Sequence, residues 1–194
     1  MSSERVLGLM SKSIHETITD ASDDEMKVIL FSVLQWFNAK SFGNPFNYNR
    51  AFEWSQAKLL GFSLTPVGGG SDGKDAAGVT AEFKAAAWKG YGARGRELSY
   101  SFAYNGTSRF ATWAEQKAYC LRKIMRDPFH FWSVVDYAEG KFVKTFRVPA
   151  ATVSKLLMPK WENSWKHSNK KDPRIGGSIS TKDLIGENFE IIAH

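Results

Sequence analysis

Gly70-Ser71-Asp72-Gly73-Lys74-Asp75-Ala76-Ala77-Gly78-Val79-Thr80-Ala81-Glu82-Phe83-Lys84 is the stretch from which the rest of this chain is read. It opens inside a glycine-rich segment, residues 68–73, that only a tight turn or loop accommodates. The chain then alternates. Val79, Ala81, Phe83 and Ala85 point one way and Thr80, Glu82, Lys84 and Ala86 the other, which is the period of a strand. Glu82 and Lys84 therefore leave the same face, and a loop folded back over the strand brings Asp72 to them. The opposite face is small or apolar, as in a core strand.

Three such groups suit the hydrolysis of a phosphodiester. The phosphate repels hydroxide, so charge must be neutralised and a nucleophile supplied. Two carboxylates hold one or two Mg²⁺ through hard oxygen ligands, and the metal lowers the pKa of bound water. A lysine orients the attacking water and stabilises negative charge beside it. Burying two carboxylates together is costly unless a cation joins them. The expectation is a catalytic set of Asp72, Glu82 and Lys84, with Asp72 and Glu82 as the metal ligands. The plainer alternative is a surface strand bearing a solvated ion pair. Asp75, in the same loop, reads as a loop-capping carboxylate.

Working outward, residues 4–18 predict a helix with Val6, Leu9, Met10 and Ile14 near one face. Residues 20–24 offer N-caps, and Met26, Ile29, Leu30, Val33, Leu34 and Phe37 follow at helical spacing as a core-facing stripe, part of it a possible subunit interface. Gly43-Asn44-Pro45 breaks the chain. A helix over 49–60 and a strand over 62–67 lead into the glycine loop. Beyond the central strand come a strand over 97–104 and a helix over 109–126 that turns Phe110, Trp113, Ala114, Ala118, Leu121 and Met125 inward. Cys120 lies in that helix as a packed or half-exposed thiol, with no His/Asn pattern to make it a nucleophile. Residues 129–136 and 141–148 read as a hairpin, and Pro149 opens a helix toward Met158. A short apolar run, 189–192, ends the chain. The order predicts an α/β fold, a mixed central sheet flanked by helices, in a single domain over 1–194. Its helical region is 1–45 and its catalytic and DNA-binding core 58–175.

The 194 residues include 14 Phe, 7 Trp and 6 Tyr, enough to bury a real core and exclude global disorder. Lys and Arg number 26 against 20 Asp and Glu, a formal charge of +6 that favours polyanionic partners. The single cysteine forbids an intrachain disulfide. No apolar run is long enough to span a bilayer, and Met1-Ser2-Ser3-Glu4-Arg5 does not open a secretory signal. The expectation is a cytoplasmic protein without a membrane partner.

The stretch around Asp72 resembles the active-site motif of the PvuII-type restriction endonucleases, within the PD-(D/E)XK nuclease superfamily. The likeness includes Gly70-x-Asp72-x-x-Asp75-x-Ala77-Gly78 and the ten-residue gap from Asp72 to Glu82. It extends upstream to Lys58-Leu59-Leu60 and Leu64-Thr65. Downstream it takes in Lys160-Trp161-Glu162-x-x-Trp165, Lys171-Asp172 and Pro173-Arg174-Ile175. The resemblance implies metal-ligand roles for Asp72 and Glu82 and a water-positioning role for Lys84. It also implies a restriction-endonuclease-like fold and Mg²⁺-dependent, sequence-specific cleavage of double-stranded DNA to 5′-phosphate and 3′-hydroxyl ends. A palindromic site would match a homodimer, with the N-terminal helices as its interface.

The chain departs from that family after the catalytic strand. The family's base-reading histidine cluster is missing, and a longer region carries Tyr91, Arg94, Arg96, Ser99, Tyr100, Ser101, Tyr104 and Asn105. The spacing after Trp165 is shorter, and no Asn pair precedes Pro173. The recognition sequence therefore does not carry over. Lys89, Arg94 and Arg96 form one basic run and Lys166, His167, Lys170, Lys171 and Arg174 another. Each is either a solvated face or a set of phosphate and base contacts. The expected DNA-binding residues are Lys89, Arg94, Arg96, Ser99, Ser101, Asn105, His167, Lys170, Lys171 and Arg174. His130 and His167 read as structural. The alternatives are another nuclease of the superfamily, with a repair, homing or phage role, and a DNA-binding protein without catalysis.

Overall fold

The strand expected around Glu82 runs from Thr80 to Ala87 in a computed structural model that describes residues 14–46, 50–68, 70–93, 98–107, 110–136, 139, 141–168 and 174–193. The chain forms two compact units, Met1–Arg50 and Ala51–His194, where the sequence suggested one domain with a helical N-terminal region.

In the first unit, α1 (Ile14–Thr19) precedes α2 (Asp23–Ala39). Of the helix expected over 4–18, residues 4–13 lie outside the described ones. A capping box fixes the start of α2: Ser22 accepts from the Glu25 amide, and the Glu25 carboxylate answers the Ser22 amide at 3.0 Å. The expected core-facing stripe on α2 is only partly buried. Phe37 is buried and stacks edge-on with Trp36 and Phe42, but Leu30 and Val33 are exposed. A small unit holds too little surface to cover a whole helix face.

The second unit is a mixed α/β structure. It is entered by α3 (Arg50–Leu59). Its main sheet orders β1 (Ser63–Leu64), β2 (Gly73–Lys74), β3 (Thr80–Ala87), β5 (Phe129–Asp136), β6 (Lys141–Pro149) and β8 (Glu190–Ala193). The β3–β5 pair is parallel, with Glu82 opposite His130 and Lys84 opposite Trp132, and every other pair is antiparallel. The crossover from β3 to β5 contains β4 (Ser101–Thr107) and α4 (Trp113–Met125). After β6, α5 (Ala150–His167) leads to β7 (Arg174–Ser180), which pairs with β4 as a separate two-stranded ribbon. A 3-10 turn, Thr181–Leu184, precedes β8. The α/β class and the helix-flanked mixed sheet are as the sequence predicts.

Several boundaries and faces differ. The strand expected over 62–67 shrinks to Ser63–Leu64, with the Thr65 amide still donating to the Asp72 carbonyl at 2.9 Å just beyond it. The strand placed at 97–104 runs over Ser101–Thr107. α4 starts at Trp113, where Thr112 and Glu115 form a capping box. It buries Gln116, Cys120 and Ile124, while Ala114, Ala118 and Met125 are exposed. That face is invisible to apolar periodicity because Gln116 is polar; its amide finds a partner inside, donating to Cys120 Sγ at 3.4 Å. α5 continues past Pro159 to His167, since Leu157, Met158 and Trp161 are all buried around the missing N–H. Trp132, Phe102, Tyr104, Val148, Val153, Leu157, Trp161, Ile175 and Ile179 make the core between the sheet, the ribbon and the two long helices.

Candidate active site

Asp72 reaches β3 because the glycine loop and β2 fold onto it. The Asp72 amide donates to Ala81 O at 3.0 Å, and its Oδ2 accepts from the Phe83 amide at 2.8 Å. Gly73 makes the approach possible: a Cβ there would lie 2.6 Å from the Phe83 ring. From the other side, the Thr65 hydroxyl donates to the Ser71 carbonyl. Asp75 caps the following turn by accepting from the Val79 amide at 2.8 Å, and Gly78 supplies the positive φ of +87°.

On β3, Ala81 and Phe83 are buried and Glu82 and Lys84 share the opposite face. Lys84 Nζ donates to Glu82 Oε1 at 2.5 Å, with the two side chains 23% and 16% exposed. The structure thus gathers Asp72, Glu82 and Lys84. Burial, then the charge of Glu82, lifts the Asp72 carboxyl from 3.8 to about 7. Burial pushes Glu82 the same way, but the charge and hydrogen bond of Lys84 outweigh it, and Glu82 stays below its usual range. Burial also opposes the charge of Lys84, yet Glu82 and Asp72 overcome it and hold the ammonium protonated above its ordinary range.

Five further residues, Glu53, Gln56, Tyr104, Arg126 and His130, meet here without having been legible as site residues. Gln56, buried on α3, donates to Lys84 O at 3.3 Å, Phe131 O at 3.0 Å and Ser133 Oγ at 2.7 Å, which pins α3 to the sheet. Glu53 lies one turn earlier, and its charge raises the pKa of both Asp72 and Lys84. Arg126, at the end of α4, reaches Glu82 Oε2 at 3.4 Å. The Tyr104 ring lies 5.4 Å from Lys84 Nζ, within cation–π range. Trp132 Nε1 donates to the Tyr104 hydroxyl at 2.7 Å, and that hydroxyl lies 2.9 Å from His130 Nδ1. His130 Nε2 lies 3.1 Å from the Ile124 carbonyl, which can only accept. Nε2 therefore carries the proton, and Tyr104 donates to a bare Nδ1. Burial keeps His130 below its ordinary pKa and Tyr104 well above its own.

Among the described residues, no three or more His, Cys, Asp or Glu side chains are drawn together as a metal cage. The donor set nevertheless fits Mg²⁺, which commonly takes one or two carboxylates and completes its shell with water and phosphate. A carboxyl pushed to about 7 by burial and then by the charge of Glu82 is one that a shared cation would relieve.

Of the expected DNA-binding residues, Arg94, Arg96, Lys170 and Lys171 lie outside the described ones, as does the side chain of Arg174 at the start of β7. Lys89 is exposed just after β3. His167 is exposed at the end of α5, with Nδ1 2.7 Å from Asn163 O. Ser99 turns inward, its hydroxyl 3.2 Å from that of Thr181. Ser101 and Asn105 are exposed on the ribbon. There β4 and β7 turn Phe102, Tyr104, Ile175 and Ile179 to the core and leave Ser101, Ala103 and Asn105 beside Ser180, Ser178 and Gly176. This outer face is small and polar. Lys123 and Lys160 donate to its Asn105 and Ser178 carbonyls at 3.0 and 2.7 Å.

Among the described residues, no helix is long and apolar enough to cross a membrane. No family model matches the sequence, and a search of the curated proteins finds no match either.

Proposed function

We propose that this chain is a Mg²⁺-dependent endonuclease that hydrolyses double-stranded DNA at specific sites, as a cytoplasmic type II restriction enzyme of restriction-endonuclease-like fold acting as a homodimer. The observation that carries the reading is the convergence of a loop carboxylate with a Glu-x-Lys pair on a half-buried strand face.

Asp72 and Glu82 would hold the cation. When bound, Mg²⁺ supplies positive charge for the phosphate and lowers the pKa of a coordinated water. Lys84, kept protonated by its two carboxylate neighbours, orients the attacking water and stabilises charge that grows on the phosphate. Water oxygen bonds to phosphorus, the bond to the 3′ oxygen breaks, and the products carry 5′-phosphate and 3′-hydroxyl ends. Glu53 adds negative charge to the cation side of the site. The ribbon face offers close approach to a groove, since its Ser, Ala, Gly and Asn side chains are short, and β-ribbons serve as groove readers elsewhere.

The test is incubation of plasmid with the protein in Mg²⁺ and in EDTA. Discrete fragments in Mg²⁺ alone are expected. Asp72→Ala and Lys84→Ala should each slow cutting by about 10²–10³-fold or more while DNA binding survives. Cutting at junctions or flaps would instead indicate another nuclease of the superfamily. Binding with no metal-dependent cutting would leave a DNA-binding protein, and full activity in either variant would refute the site.

A further inference from the structure

Asp127 is fully buried, and its Oδ2 accepts from Arg126 twice, from Nε at 3.1 Å and from Nη2 at 2.9 Å. A guanidinium gripped along one edge has little freedom to swing. The Arg126 side chain is 35% exposed, and its Nη2 also lies 3.4 Å from Glu82 Oε2. Nη1 turns toward the glycine loop, where a Cβ on Gly70 would lie 3.0 Å from it. The Thr80 hydroxyl donates to the Arg126 carbonyl at 3.3 Å, joining the start of the catalytic strand to the end of α4. Arg126 therefore stands among the loop that bears Asp72, the strand that bears Glu82, and solvent.

A purely structural ion pair would not need this arrangement. The contact with Glu82 is long and partly exposed, so it adds little to stability. Glu82 already has a closer cation in Lys84, at 2.5 Å. A guanidinium held by Asp127 through Nε and Nη2, partly exposed and with Nη1 beside the glycine loop, presents a planar donor edge that suits the oxygens of a phosphate diester better than the long contact with Glu82. Charge accumulates on the non-bridging oxygens during hydrolysis, and Lys84, already shared with Glu82 at 2.5 Å, meets only part of it.

We propose that Arg126 is a further catalytic residue, one whose guanidinium holds a non-bridging oxygen of the scissile phosphate while Asp127 fixes its position. This rests on the nuclease reading above.

The experiment compares full-length wild type with Arg126→Lys and with the double variant Arg126→Ala/Asp127→Asn, which removes the buried carboxylate charge along with its partner so that the fold survives. Single-turnover cleavage is measured in Mg²⁺, and binding to a duplex bearing the site in Ca²⁺. The double variant is expected to melt cooperatively and to bind within a few-fold of wild type. Its cleavage should be slower by about 10²-fold or more, with Arg126→Lys between the two. Added guanidinium ion should restore part of the lost rate, which a structural role would not allow. A folded double variant cutting at the wild-type rate overturns the proposal, as does a slowdown fully matched by lost affinity. If wild type itself does not cut, the nuclease reading falls first; if wild type cuts and the variants cut equally, only the role of Arg126 falls.

Discussion

At neutral pH, Asp72 is poised between its two protonation states, because burial and the adjacent Glu82 both penalise its charge and set its pKa at about 7. The unfolded chain releases that proton near the ordinary carboxylate value of 3.8. Between those values the folded protein binds the extra proton, so stability from this residue is full at low pH and is lost as pH rises through about 7. The loss is on the order of a few kcal/mol. Asp72→Asn, which cannot ionise, should therefore raise the melting temperature in EDTA at pH 8 and raise it by markedly less at pH 5, where only the first part of the loss between 3.8 and about 7 has accrued. Thermal melts at the two pH values check this, and an equal gap at both would contradict it. Asp72, Glu82 and Lys84 were legible because loop and strand lie close in sequence and period two settles which side chains share a face. Glu53, Gln56, Tyr104, Arg126 and His130 were not, because they arrive from α3, β4, α4 and β5. Only tertiary packing brings those elements to β3.

Elements place the loop as firmly as side chains do. β2 lies so close to β3 that Gly73 has no room for a side chain, with 2.6 Å between a built Cβ and the Phe83 ring. Gly73→Ala must push β2 outward, at a cost of about 1–3 kcal/mol. The displacement carries Asp72 with it, so cleavage should fall along with stability. Denaturant unfolding and cleavage rates measured on one preparation test this, and a variant with wild-type values for both would show that β2 yields freely. Periodicity identified β3 and the β5–β6 hairpin, whose residues alternate or run apolar between clear breaks. It found only part of the buried face of α4: Trp113 and Leu121 pack against the core, but Ala114, Ala118 and Met125 are exposed, and the centre of the face includes a polar Gln116 satisfied inside. It followed α5 only toward Met158, whereas burial of Leu157, Met158 and Trp161 around Pro159 carries the helix on to His167.

For the whole molecule, a formal charge of +6 ties any DNA affinity to counterion release. Binding in Ca²⁺ should weaken linearly on a log–log plot against salt, and a flat dependence would argue against phosphate contacts. The proposed homodimer has its own test. α2 leaves Val28 and Phe31 52% and 56% exposed, more apolar surface than a solvated helix usually shows. Sedimentation should find a dimer at micromolar concentration and a folded monomer after Val28→Lys/Phe31→Glu; a monomeric wild type would discard the arrangement. The division at Arg50 falls between the helical region read over 1–45 and the core read from 58, just after the break at Gly43-Asn44-Pro45. Cys120, the sole cysteine, is buried and its thiol is held above its usual pKa by that burial, so maleimides should pass it by. Ser178→Cys on the exposed ribbon would then be the one labelled position, and a fluorophore there would report duplex arriving at that face without any background from the interior.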